Sequence, residues 1–153
     1  MNKSQIITAI VAQLRDEFER RREVSKRTRE QGSDAESKSE GKYDTRSTEE
    51  NYLADGLAKQ ALVSAQAAAE IEKLPPRMFA PDEPIDLGAL VEVQFPGARE
   101  WFFLAPAGGG TEITHNKKCI TVLTPESPLG AGLLGRRAGE SIKAPAARIL
   151  NVE

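Results

Sequence analysis

The chain has 153 residues, with 21 Lys and Arg against 23 Asp and Glu, a formal net charge of −2 and 39% hydrophobic residues. That length suits one medium domain or two small ones, and near-neutral charge gives no global attraction to a polyanion. The single cysteine, Cys119, excludes an intrachain disulfide and fits a reducing cytoplasm, and no apolar run approaches a membrane span.

The N-terminal stretch mixes Gln5, Thr8 and Gln13 with Ile6, Ile7, Ile10 and Val11 and does not read as a signal peptide. Ser4 is a plausible N-cap for a first helix. Ile7, Ile10, Val11, Leu14 and Phe18 recur at three and four residues, and Val24 continues the stripe weakly. Beyond Phe18 the seam turns polar, with Arg21, Ser25 and Thr28, and Gly32 is a reasonable stop. The spacing predicts a helix over about 5–31, roughly 40 Å long at 1.5 Å per residue.

Charge is unevenly placed. Residues 15–29 hold Arg15, Arg20, Arg21, Arg22, Lys26, Arg27 and Arg29 against four acids. Residues 30–50 hold seven acids against Lys38, Lys42 and Arg46. A basic stem thus leads to an acidic tip near 32–45. Glu36, Glu40 and Asp44 recur every four residues, with Asp34 close by. In a helix those three carboxylates share a face, and in a loop they crowd a short tip. Like charges so confined need water or a cation, so the stretch reads either as a solvated turn or as a cation-holding tip.

A second helix should begin near Thr45 or Thr48 and end before Pro75-Pro76, which cannot continue it. Its inner stripe is Ala54, Leu57, Ala61, Ala65, Ala68 and Ile71, small enough for a close antiparallel partner. Residues 1–74 therefore predict an antiparallel coiled-coil hairpin. Pro75, Pro76, Pro81 and Pro84 make 75–86 a stiff connector and domain boundary.

After it the period changes from 3.6 to 2. Leu90–Phe95, Trp101–Leu104, Thr111–His115, Cys119–Leu123 and Ala147–Val152 read as short strands, with a turn at Gly108-Gly109-Gly110. Ser127 caps a short helix that Pro128 opens and Gly135 leaves, followed by the charged turn Arg136-Arg137-Ala138-Gly139-Glu140. The fold class is α+β, a helical hairpin followed by a small antiparallel β domain over 87–153. Trp101 and Phe103 should share a core face, Cys119 should be a small core residue, and His115 a surface histidine. Tyr43 and Tyr52 flank the tip, where they could stack on a base, while Tyr52 is expected to pack at the start of the second helix.

From Thr121 to Ile142 the sequence resembles the C-terminal domain of the Gre transcription elongation factors. The resemblance rests on Ser127-Pro128-Leu129, Leu133-Leu134-Gly135 and the basic, Gly-acid turn Arg136–Glu140. It extends to the order of coil, connector and β-rich domain over nearly the full length. It implies an FKBP-like C-terminal domain that docks at the rim of the RNA polymerase secondary channel. Ser127, Pro128, Arg136 and Arg137 are the docking candidates. A coiled coil would carry the acidic tip to the polymerase active site, and the protein would act as a monomer. A prolyl isomerase is the weaker reading, since a fold alone does not carry that activity.

The activity so implied is hydrolysis of a backtracked transcript by the polymerase itself. The candidate catalytic carboxylates are Asp44, Glu40 and Glu36, with Asp44 and Glu40 holding a Mg²⁺ shared with the polymerase and not held tightly by the free chain. Arg21, Arg22, Lys26 and Arg29 would line the path of the nascent RNA 3′ end, with Arg20 and Arg27 beside them. Gre tips carry an acidic pair three residues apart, and here Ser47 stands three residues past Asp44, with Glu49-Glu50-Asn51-Tyr52 following. Glu36, Glu40, Glu49 and Glu50 are the acids that would have to substitute. The alternative is a channel-occupying regulator that binds polymerase and cleaves nothing.

Overall fold

The computed structural model describes residues 1–38 and 46–153, with 34–38 and 46–47 described in backbone only. Two long helices come first, α1 over Lys3–Lys38 and α2 over Arg46–Glu72. Six strands and a short helix follow: β1 Leu90–Phe95, β2 Ala98–Leu104, β3 Glu112–His115, β4 Lys118–Leu123, α3 Pro128–Leu133, β5 Ser141–Lys143 and β6 Ala146–Val152. The α+β class is as expected. Two details of α1 differ. Its cap is Asn2, whose Oδ1 accepts from the Gln5 amide at 3.2 Å, while Ser4 already lies inside the helix. Its end is not Gly32, because one helical glycine costs only about 1 kcal/mol relative to Ala and Glu30, Gln31 and Ala35 around it all tolerate a helix.

The strands form one sheet in the order β3-β4-β2-β1-β6-β5. It is mixed rather than wholly antiparallel, because β2 and β4 run parallel, with Trp101 opposite Ile120 and Phe103 opposite Val122. A parallel neighbour needs a crossover of about a dozen residues, and residues 105–117, which include β3, supply it. Alternation in the sequence reports faces, not neighbours, and so carried no sign of this. The short edge strand β5, opposite β6, was also not foreseen.

The residues divide into two compact units, Met1–Leu14 with Ala67–Glu153, and Arg15–Gln66. In the larger unit one sheet face, built from Leu90, Trp101, Phe103, Ile120 and Val122, packs against Ile6, Ile10, Leu14, Ala68 and Ile71. Trp101 and Phe103 thus share the buried face expected of them, and Lys118 Nζ covers the Trp101 ring 4.0 Å from its centroid. The other face, with Val91, Val93, Phe102, Leu104, Ile142 and Ile149, packs against Phe79, Ile85 and Leu133.

The proline-rich stretch 75–86 belongs to that larger unit. Phe79 and Ile85 are buried because they are its large apolar residues and the second sheet face needs a cover. Ile85 also exchanges backbone bonds with the α3 exit, donating to Arg136 O at 2.7 Å and accepting from Gly135 N at 2.8 Å. The division between units falls within α1 and α2, at 14/15 and 66/67, and residues 75–86 lie inside the larger unit.

Lys3 fastens the start of α1 to this stretch. It is only 3% exposed, donates to Arg77 O at 2.6 Å and lies 4.4 Å from the Phe79 ring centroid, which Arg77 also covers. Burial first, then the Arg77 charge, lower the Lys3 ammonium from 10.5 to about 8, against the opposing pull of Glu153 and Glu83. Glu83 is itself held below the ordinary carboxylate value, first by the Arg77 hydrogen bond and then by the Ala80 amide. Between about pH 8 and 10.5 the unfolded chain keeps a proton on Lys3 that the folded chain has released, so this group makes stability rise with pH across that window. Thermal midpoints of the wild type and Lys3→Met, measured across that range, should differ in slope, the variant lacking this rise.

Candidate functional site

Within Arg15–Gln66 the two helices run antiparallel, since Arg21 reaches Ser64 while Arg29 reaches Asp55. Their seam follows the polar continuation of the α1 stripe. Ser25 and Thr28 are buried, as are Ala54, Ala61 and Ser64 across from them. Ser25 Oγ donates to Ala54 O at 2.8 Å, which is possible because neither residue carries bulk to separate the helices. Thr28 Oγ1 donates back to Val24 O at 2.9 Å. Val24 itself is 47% exposed and does not continue the stripe, because it lies one position off the Arg21, Ser25 and Thr28 line.

Beside the seam lies a groove of about 840 Å³. Phe18, Ala58, Ala61 and Leu62 give it apolar walls, and Arg22, Lys26 and Arg29 stand on its rim with Glu19, Glu23 and Glu30. The rim carries three cations against three acids, so it has no net pull on a polyanion. The four expected RNA contacts differ in their freedom. Arg21 faces the partner helix, donating to Ser64 Oγ at 2.7 Å with Glu17 3.6 Å away. Arg29 is 2.6 Å from Asp55. Arg22 is more open, 3.8 Å from Glu19, and Lys26 is exposed. The sequence reading missed Ala58 and Leu62 as groove walls; they flank the Ala54–Ala61 stripe, where apolar residues at 58 and 62 are the available signal.

Of the expected tip acids, Glu40 and Asp44 lie outside the described residues, as does Tyr43, and Glu36 is described only as backbone within α1. Among the described residues no three His, Cys, Asp or Glu gather as a metal site. Tyr52 is 74% exposed on α2 and does not pack there, since it falls on the outward line with Gly56, Lys59 and Val63.

The docking candidates sit around α3. Ser127 Oγ accepts from the Gly130 amide at 3.1 Å and donates to Thr124 O at 2.8 Å, and Pro128 opens the helix. Arg137 Nε donates to Asp82 O at 2.8 Å, and its amide donates to Glu140 Oε2 at 2.6 Å. The Arg136 side chain is exposed and lies 4.0 Å from Glu140. Ser127 and Arg137 are therefore engaged internally, while the Arg136 side chain is available. Elsewhere, Cys119 is exposed rather than buried, because it sits on β4 opposite Thr114 near the hairpin end, beyond the apolar cover. His115 is half-buried, and its enclosed Nε2 has no hydrogen-bond partner among the described residues.

Solved structures that the chain resembles include GreA factor homolog 1 (Gfh1) of Thermus thermophilus, at 21% identity over 95% of each chain with a TM-score of 0.36. Gfh1 of Thermus aquaticus gives 21% identity, 95% of each chain and a TM-score of 0.37. The likeness is remote and spans nearly the whole chain. No protein-family profile and no curated protein matches the sequence. Among the described residues no helix is long and apolar enough to cross a membrane.

The α3 turn leaves no room at Gly130. A Cβ there would lie 2.0 Å from Thr124 O and 2.7 Å from Ser127 Oγ, whereas one at Gly132 would meet only Ile142, at 3.9 Å. Gly130→Ala should destabilise the chain by about 1–3 kcal/mol, as overpacking does. Gly132→Ala should be tolerated. Urea denaturation of the two variants checks the contrast.

Proposed function

We propose that this chain is a transcription factor of the Gre type, which binds RNA polymerase at its secondary channel and stimulates cleavage of backtracked transcripts. The reading is supported by the Ser127–Glu140 motif, which follows two long antiparallel helices in the order that the family resemblance requires. In the sequence Glu36 falls near the end of α1, and Glu40 and Asp44 fall between the spans of the two helices. Docking falls to the surface around α3, with Arg136 the side chain open to a partner.

The donor chemistry suits the ion. Asp44 and Glu40 offer hard carboxylate oxygens, and Mg²⁺ is ordinarily held by one or two protein carboxylates while keeping several waters. When bound, it supplies charge that stabilises the attacking and leaving oxygens of a phosphodiester displacement. Asp44 and Glu40 would hold it jointly with the polymerase, and Glu36 would add negative potential. Arg22 and Lys26 would bind transcript phosphates without regard to sequence. Arg29 would first have to release Asp55. The isolated chain would then hydrolyse nothing.

A second reading rests on Ser47. The residue three past Asp44 is a hydroxyl and not a carboxylate, so the protein would occupy the channel and regulate polymerase without cleavage. Stalled elongation complexes of the cognate polymerase separate the two. Wild type should release short 3′ fragments, and Asp44→Asn should abolish release while binding stays near normal. Competition with a Gre factor without cleavage at any Mg²⁺ concentration supports the regulator. Cleavage by Asp44→Asn removes the role assigned to that residue. Arg136→Glu should weaken polymerase binding with the thermal midpoint unchanged, whereas Arg137→Glu should also lower the midpoint because its bond to Asp82 O is lost.

A further inference from the structure

We propose that Arg15–Gln66 opens as a cooperative unit of its own, while Met1–Leu14 and Ala67–Glu153 stay folded. Among the described residues of this helix pair, the buried apolar side chains are Ala54 and Ala61 alone. Among the described residues, every large buried apolar side chain belongs to the other unit. Burial of such residues is the dominant favourable term in folding, so the helix pair lacks the main source of stability that the sheet has.

What joins the helices is polar. Across the seam stand Arg21 with Ser64, Ser25 with Ala54 O, and Arg29 with Asp55, this last pair more than half exposed on both sides. Along α1 the pairs Arg20–Asp16, Arg21–Glu17, Arg22–Glu19 and Arg27–Glu23 support the helix, but each is a surface pair of small value. Water can replace every one of these partners when the helices part. The half-exposed Phe18 and the exposed Leu62 in the groove lose little more surface to water on opening. Opening therefore costs less than global unfolding, as for other locally unfolding units. The same weakness makes the pair responsive to whatever binds its closed form, since such a partner stabilises by mass action.

Native-state hydrogen exchange on the full chain tests this. Amides of 18–30 and 50–64 should exchange together, at least about tenfold faster than those of Ile6–Leu14, β1 and β2. Their exchange should depend on added urea, but less steeply than that of the sheet amides, because unfolding the helix pair exposes less surface than unfolding the whole chain. Arg21→Ala should speed exchange of the helix pair about tenfold, having removed a charged hydrogen bond, with the sheet amides unchanged. Raising the salt should act in the same direction. The proposal is overturned if the helix-pair amides share the protection and urea dependence of the sheet, or if Arg21→Ala accelerates both units equally.

Discussion

The ends of the two long helices depend on one apolar contact. Ile6, Ile10 and Leu14 from α1, with Ala68 and Ile71 from α2, cover the sheet face built from Leu90, Trp101, Phe103 and Val122. Each large aliphatic so buried contributes about 1.5–3 kcal/mol, whereas a surface ion pair along α1 contributes at most about 1 kcal/mol. The contact also fixes the turn after β2. Gly108 adopts φ +78, and a Cβ there would lie 3.2 Å from Ile71 Cδ1 and 3.3 Å from Leu14 Cδ1. A residue with a side chain would be strained in its backbone and crowded against both helices.

The opposite sheet face is closed by a segment whose composition suggests a linker. Prolines restrict its path, but Phe79 and Ile85 bury themselves and Ile85 pairs with the α3 exit. Prolines stiffen a chain whether it spans solvent or lies on a sheet, so their number does not distinguish the two. The consequence reaches the docking candidates. Ser127 and Arg137 hold α3 and the 75–86 segment in place, so a polymerase-facing role would act through the surface they maintain.

The second unit follows a different rule. Its seam residues are small or hydroxylated, so the helices approach closely with few apolar atoms between them. Close approach lets Ser25 reach the Ala54 carbonyl, and it leaves charged side chains such as Arg22 and Lys26 on the outside.

The sequence by itself determined much of this protein. Three- and four-residue spacing placed both helices, period-two alternation placed five of the strands, and Ser127-Pro128 placed α3, because each signal is local and set by backbone geometry. The sequence order also suffices for the Gre resemblance and for naming Asp44, Glu40 and Glu36 as the candidate acids of the 32–45 stretch. Tertiary structure alone decided the rest. It set β2 and β4 parallel, buried Phe79 and Ile85 of the 75–86 stretch, turned Arg21 toward the partner helix and left Cys119 and Tyr52 exposed. Those outcomes depend on which surfaces meet across long sequence separations. A side chain's own periodicity says which way it faces, but not what arrives to cover it.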